Sequence, residues 1–197
     1  PHYLDIGCST GFVVEAATHA GWHATGVDLN PSAIAFGKKR GLNLSLCSLD
    51  EAGFSAESFH LISLFEVLEH LPHPKKILEY ALSLLKPGGI IFIYVPNYNS
   101  ASRVLLGKDA HFLWPTHHLT YYTIETISYL LRSFDLKIEM VMTEGLDIFD
   151  YLHFVQNKNS KNETKLLREI ADKLQFFINA GGYGKTLRIL ARKLGGC

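Results

Sequence analysis

The chain has 197 residues, 47% of them hydrophobic, with 19 Lys or Arg against 19 Asp or Glu. A net charge of zero argues against a nucleic-acid partner captured by long-range electrostatics, and no apolar run approaches the ~20 residues that a membrane span needs. The length reads as one domain, residues 1–197, with a sizeable core; Cys8, Cys47 and Cys197 lack metal-ligand spacing and read as reduced thiols of a cytoplasmic protein.

The first element is a strand, Tyr3 to Ile6, that stops at Gly7. Gly11 follows four residues later, and Phe12 to Ala20 reads as a helix that ends at Gly21. Strand, glycine-bearing turn and helix open a nucleotide-binding α/β unit. The pattern is Asp5-x-Gly7-x-x-x-Gly11, with Ser9 where a dinucleotide fingerprint often has its middle glycine. Gly7 allows a tight turn and close ligand approach because it lacks Cβ. An acid at Asp5 repels a pyrophosphate but suits a cationic ligand. The next strand, Trp22 to Val27, ends at Asp28, where an acid can bind both hydroxyls of a ribose.

Asn30 caps a second helix that has Pro31 at its first position and stops at Gly41. Leu42 to Cys47 is a short strand, followed by the loop Ser48-Leu49-Asp50-Glu51. Phe59 to Phe65 is apolar almost throughout, as expected of a strand buried on both faces of a parallel sheet. From Pro74, the residues Ile77, Leu78, Ala81, Leu82 and Leu85 recur at helical spacing. The helix is expected to end at Lys86-Pro87-Gly88-Gly89, before a strand at Ile90 to Val95. Residues 97–122 read as a long loop with one helical turn near Ala101 to Leu106, too aromatic to be a free linker. Thr123 caps a helix to Ser133, and Phe134 to Met142 is a strand.

Beyond Gly145 the pattern predicts helices at Ile148 to Gln156 and Glu163 to Ala180. Lys185 to Arg192 alternates as a strand. Residues 158–197 carry nine Lys or Arg against three acids. A solvated helix face, an anionic surface or a second subunit, giving a possible homodimer through the helical insertion, would account for this.

The alternation of strand and helix with short loops predicts a doubly wound parallel sheet, with Asp5, Asp28, Ser48, Leu49, Phe65, Glu66 and Pro96-Asn97 around one pocket at the strand ends. Asp5, Gly7, Gly11 and Asp28 in this order, with Phe65-Glu66-Val67-Leu68-Glu69-His70 and Leu85-Lys86-Pro87-Gly88-Gly89, resemble the class I S-adenosylmethionine-dependent methyltransferases. The text is similar to the small-molecule O-methyltransferases of the ubiquinone-biosynthesis type over Leu4 to Met142.

That resemblance implies a Rossmann-like seven-stranded sheet with six parallel strands and an antiparallel last strand, residues 185–192, inserted between strands five and six after a helical insertion at 145–180. It implies S-adenosylmethionine as cofactor, S-adenosylhomocysteine as product, and a small-molecule acceptor. Asp28 would hold the ribose, Gly7 and Gly11 would pass beside the methionine part, and Leu49 would lie near adenine. Asp5, Cys8, Ser9, Phe12, Leu29, Ser48, Phe65 and Glu66 complete the expected cofactor site. Such enzymes carry helices before the first strand, so N-terminal helices are expected to be missing from a chain that begins at Pro1. An NAD(P)-binding oxidoreductase and a non-catalytic cofactor-binding module are the alternative readings.

His118 opens His-Leu-Thr-Tyr-Tyr, which resembles the His-Leu-x-Tyr-Phe segment beside the substrate in similar enzymes, and is the candidate catalytic residue. A packed loop histidine is the competing reading. His70, before Leu71-Pro72, reads as a cap. His111, His117 and His118 have no cysteine or carboxylate nearby in the chain to complete a ligand set, so no metal is expected.

Overall fold

In the computed structural model, which describes residues 1–110, 112–145 and 173–195, seven strands join in one sheet. They are β1 (His2–Ile6), β2 (His23–Asp28), β3 (Leu44–Leu46), β4 (Phe59–Phe65), β5 (Leu85–Pro96), β6 (Leu136–Glu144) and β7 (Thr186–Lys193), in the order β3-β2-β1-β4-β5-β7-β6. Strands β1 to β5 pair in parallel. Strand β7 lies between β5 and β6 and is antiparallel to both. Six strands therefore run one way and the last runs against them, as the family resemblance implies.

The α-helices between them that lie wholly within the described residues are α1 (Phe12–His19), α2 (Pro31–Lys39), α3 (Pro74–Leu84), α4 (Ala101–Leu106) and α5 (Ile124–Arg132). Strand alternation sorts the core into two layers. Leu4, Ile62, Leu64, Ile91, Ile93, Leu187 and Ile189 pack with Leu78 and Leu84 of α3 and Ile127 and Leu131 of α5. Tyr3, Cys8, Ala24 and Leu44 pack with Val14 of α1 and Ile34 of α2. Asn30 caps α2 by accepting from the backbone N–H of Ser32 and Ala33. Thr123 caps α5 in a capping box whose partner is Thr126. No helix among the described residues is long and apolar enough to cross a membrane.

Two expectations change. Lys86-Pro87-Gly88-Gly89 does not separate helix from strand; it lies inside β5. Leu85 pairs with Phe59 and the register shifts before Leu61 meets Ile90. With Gly88 at φ +76°, the strand bulges where other residues would break it. Strand β6 begins at Leu136 rather than Phe134. The predicted helix at 148–156 and residues 163–172 of the next one lie outside the described residues, whereas residues 173–180 are helical.

Asn97 ties the end of β5 to the chain entering β7. Its side chain is fully buried and donates to the carbonyls of Gly182 and Gly184 at 3.0 and 2.8 Å, while its Oδ1 accepts from Asn99 N at 3.0 Å. Asn97→Ala removes three hydrogen bonds and leaves a buried carbonyl unpaired, so it should cost roughly 2–4 kcal/mol. Urea unfolding followed by circular dichroism should show this as a lowered midpoint.

Candidate functional site

The turn after β1 is held by the backbone of β2. Gly7 N and Cys8 N both donate to Val27 O, at 2.9 and 3.0 Å, and Gly11 N donates to Cys8 O at 2.8 Å. Ser9 is left-handed at φ +49°, a conformation that costs a non-glycine residue free energy. Its N–H donates to Asp28 Oδ2 at 2.7 Å, and Asn30 N donates to Asp28 Oδ1 at 2.7 Å. One carboxylate thus pins the first turn to the second. Each of its oxygens retains a second acceptor position.

The glycines serve packing more directly than ligand approach. A Cβ on Gly7, at φ +73°, would stand 2.4 Å from Val67 Cγ2, and one on Gly11 would stand 2.8 Å from Leu42 Cδ1. Glu66, at the end of β4, is a second non-glycine residue at positive φ (+51°) on this rim. Its N–H donates to Tyr94 O at 2.8 Å. Backbone strain of this kind gathers at functional sites.

Asp5 is buried behind the turn, at 2% exposure. Ser63 donates to Asp5 Oδ1 at 2.6 Å, and the Tyr3 hydroxyl bonds Ser63 in turn. Burial pushes the Asp5 carboxyl up to about 6, against the two hydroxyls, which favour the ionised form, and with the Asp28 charge adding to the rise. Burial, then the Asp5 and Asp28 charges, push the Cys8 thiol up to about 12, so it is no nucleophile at neutral pH.

The other expected cofactor contacts divide. Phe12 and Leu29 are 66% and 72% exposed, large apolar surfaces open beside the turn. Phe65 packs its ring on Phe92 and Tyr94. Ser48 gives its N–H and hydroxyl to Glu51. Leu49 is buried within the core. A separate cleft lined by His2, Trp22, His23 and Phe54 opens at the amino ends of β1 and β2, at the other end of the sheet.

The long loop after β5 folds back over the strand ends. Asn97 bridges Tyr122, and Tyr98 N donates to Tyr122 O at 2.7 Å. Leu119 N and Thr120 N donate to the backbone carbonyl of Glu69 at 2.7 and 3.1 Å. Glu69 belongs to a 3-10 turn, Leu68–His70, that follows β4. His118 is half-buried, with Nδ1 2.7 Å from Phe112 O. Its ring meets His70 edge-on at 4.8 Å and Tyr121 at 6.2 Å. His70 does not cap its own turn; its Nδ1 lies 2.8 Å from His117 O, across the loop. A carbonyl can only accept, so each Nδ1 carries a proton and, in the neutral ring, Nε2 holds the lone pair.

Glu69 is the residue that sequence reasoning missed. It is 1% exposed, and neither carboxylate oxygen has a hydrogen-bond partner among the described residues. Burial pushes it up to about 7. One ligand atom from each of Glu69, His70 and His118 lies within 4.8 Å of the others. The carboxylate sought near the histidines is therefore present, brought from 49 positions away by the fold. Glu69 next to His70 in the post-β4 motif was the available signal, and only the loop's return could pair it with His118.

The family described as "Methyltransferase domain" matches residues 1–141. The chain is 33% identical over 104 residues to a ubiquinone biosynthesis O-methyltransferase of Coxiella burnetii, covering 50% of this chain and 44% of that protein. It is 33% identical over 109 residues to the protein of the same name from Hydrogenovibrio crunogenus, covering 52% and 45%. The chain thus spans about half the length of the curated relatives it matches. Among solved structures, its fold is similar to a SAM-dependent methyltransferase from Archaeoglobus fulgidus, with a TM-score of 0.66 and 23% identity over 98% of this chain and 86% of that one. It is also similar to geranyl diphosphate C-methyltransferase from Streptomyces coelicolor A3(2), solved with Mg2+, geranyl diphosphate and S-adenosyl-L-homocysteine. That match has a TM-score of 0.66 and 16% identity over 98% and 72% of the chains.

The Asp5 environment gives a test that needs no ligand. Below about pH 4 the carboxyl is neutral whether the chain is folded or not. Between about pH 4 and 6 the unfolded chain ionises this carboxyl while the folded protein still holds it protonated, so stability falls over that window and levels off above the folded value of about 6. Asp5→Asn keeps an acceptor for Ser63 and removes that loss. The variant should match the parent at about pH 3, below the unfolded value, and be more resistant to urea at about pH 8, by roughly 3 kcal/mol at 1.36 kcal/mol per pKa unit.

Proposed function

The chain belongs to the methyltransferase domain family, and from that premise we propose that it transfers a methyl group from S-adenosylmethionine to the oxygen of a small-molecule acceptor, releasing S-adenosylhomocysteine. One observation carries the cofactor half. Asp28 sits at the carboxyl end of β2 with both oxygens oriented by Ser9 and Asn30 and each able to accept again. Two such positions suit the two hydroxyls of a ribose. Asp5, behind the glycine turn, attracts the cationic methionine end. Exposed Phe12 and Leu29 supply apolar surface for adenine, with the buried Leu49 beneath.

The sulfonium already activates the methyl group, so the protein's task is to align an in-line attack and exclude water. Residues 97–122 form the acceptor wall, with Phe112, Tyr98 and Tyr121 in ring contact. His118 Nε2 holds the lone pair of the neutral ring on that wall and is placed to receive the acceptor's proton. The names of the relatives from Coxiella burnetii and Hydrogenovibrio crunogenus support oxygen as the accepting atom.

Asp28→Ala should weaken S-adenosylmethionine binding by about tenfold or more, because charge-assisted hydrogen bonds are worth roughly 1.5–3 kcal/mol each. Calorimetry reads this directly, and unchanged affinity would remove Asp28 from the site. His118→Ala should lower turnover by ~10²-fold or more while leaving cofactor affinity nearly intact. Loss of both together would make the histidine a support of the fold instead.

A further inference from the structure

The acceptor wall contains a second unfilled demand. Glu69 presents two buried oxygens with no hydrogen-bond partner among the described residues, and an unpaired buried carboxylate is costly unless a cation or donor meets it. The two histidines clustered with it, His70 and His118, each have Nδ1 against a backbone carbonyl, 2.8 and 2.7 Å away. That arrangement leaves the lone pair of each neutral ring on Nε2. It is also how proteins orient histidines that ligate metals.

We propose that Glu69, His70 and His118 form a binding site for one divalent first-row transition ion, of the Zn2+ or Mn2+ type, at the acceptor side of the cleft. Two imidazoles and one carboxylate, with room for an exogenous ligand, is a donor set found in catalytic zinc sites. Imidazole selects such ions over Mg2+ and Ca2+, which favour oxygen shells. Tetrahedral ligands at about 2.0–2.1 Å from zinc stand roughly 3.4 Å apart. The three atoms lie within 4.8 Å of one another, so they close by about 1.4 Å, a distance side-chain rotation supplies, because His70 is exposed.

The two backbone hydrogen bonds to the Glu69 carbonyl hold the turn against the loop, so the site is tethered before any ion arrives. The inference rests on the methyl-transfer reading only for the acceptor's position. With an ion bound, His118 Nε2 is a ligand rather than the proton acceptor. The ion, held by Glu69, His70 and His118, would supply Lewis acidity that lowers the pKa of an acceptor hydroxyl, whose proton would pass to water and leave the oxygen to attack the methyl group.

The test begins with the full chain, stripped by chelator and titrated with Zn2+ in the calorimeter without cofactor or acceptor. One equivalent should bind at micromolar or better affinity. Glu69→Gln should weaken it at least 30-fold, while a His2→Ala/His60→Ala variant, which removes two exposed histidines far along the sheet, should leave it unchanged. Co2+ in place of zinc should give the visible bands of a four- or five-coordinate ion in the parent and lose them in Glu69→Gln. Binding that survives Glu69→Gln, or that disappears with His2 and His60, is an adventitious ion only and overturns the site. Absence of stoichiometric binding overturns it as well, and leaves the methyl-transfer reading standing. Where binding holds, turnover that is equal with and without the ion overturns its part in the chemistry.

Discussion

The turns at the carboxyl ends of β1 and β2 depend on one carboxylate. Asp28 receives the N–H of Ser9 from the first turn and of Asn30 from the second, so two segments that share no other side-chain tie of this kind move as one. The left-handed Ser9 costs on the order of 1–3 kcal/mol. A hydrogen bond to a charged acceptor returns about 1.5–3 kcal/mol. The two magnitudes are comparable, which is why a serine can stand where a glycine would be strain-free. The same contact orients the carboxylate before any ligand binds, so less ordering remains to be done at binding.

The two halves of the site are coupled by a missing atom. Gly7 has no Cβ, and Val67 fills the space one would occupy, 2.4 Å away. Val67 leads directly into the turn that carries Glu69 and His70. The loop from β5 then fastens to that turn through two bonds to the Glu69 carbonyl. A side chain at position 7 would therefore displace the turn that carries Glu69 and His70 as well as the turn after β1. The buried acids follow the same plan. Asp5 is satisfied by a hydroxyl chain through Ser63 and Tyr3, whereas the buried Glu69 carboxylate has no hydrogen-bond partner among the described residues. The fold tolerates the second because its strands and loop are pinned by backbone bonds that do not depend on the carboxyl.

Strand β7 makes the rest possible. It takes the place between β5 and β6, with Leu187, Ile189 and Ala191 fully buried. Its entry, Gly182 to Lys185, is where Asn97 is anchored. The end of β5 and the start of the acceptor loop are thus fixed by the last part of the chain.

The reversed direction of the last strand was implied by the family resemblance alone, whereas the sequence by itself located the strands, the glycine turn and the strand-end acids. These are local matters: alternation at Leu187, Ile189 and Ala191, an Asn-Pro helix start at Asn30, and a glycine after a buried strand each follow from short-range sterics and periodicity. It misjudged Lys86-Pro87-Gly88-Gly89, because those residues make a turn or a bulge equally well and only the pairing of Leu85 with Phe59 decides which. It put Leu49 at a strand end but could not tell that its side chain is buried in the core, since that position fixes the backbone and not where the side chain packs. Tertiary structure alone decided the Glu69, His70 and His118 cluster. Its members come from two segments joined by a long loop, and no period or spacing encodes the path by which that loop returns over the strand ends; the hydrogen bonds that set it, to the carbonyl of Glu69 and from Tyr98 to Tyr122, run between backbone groups that every residue has.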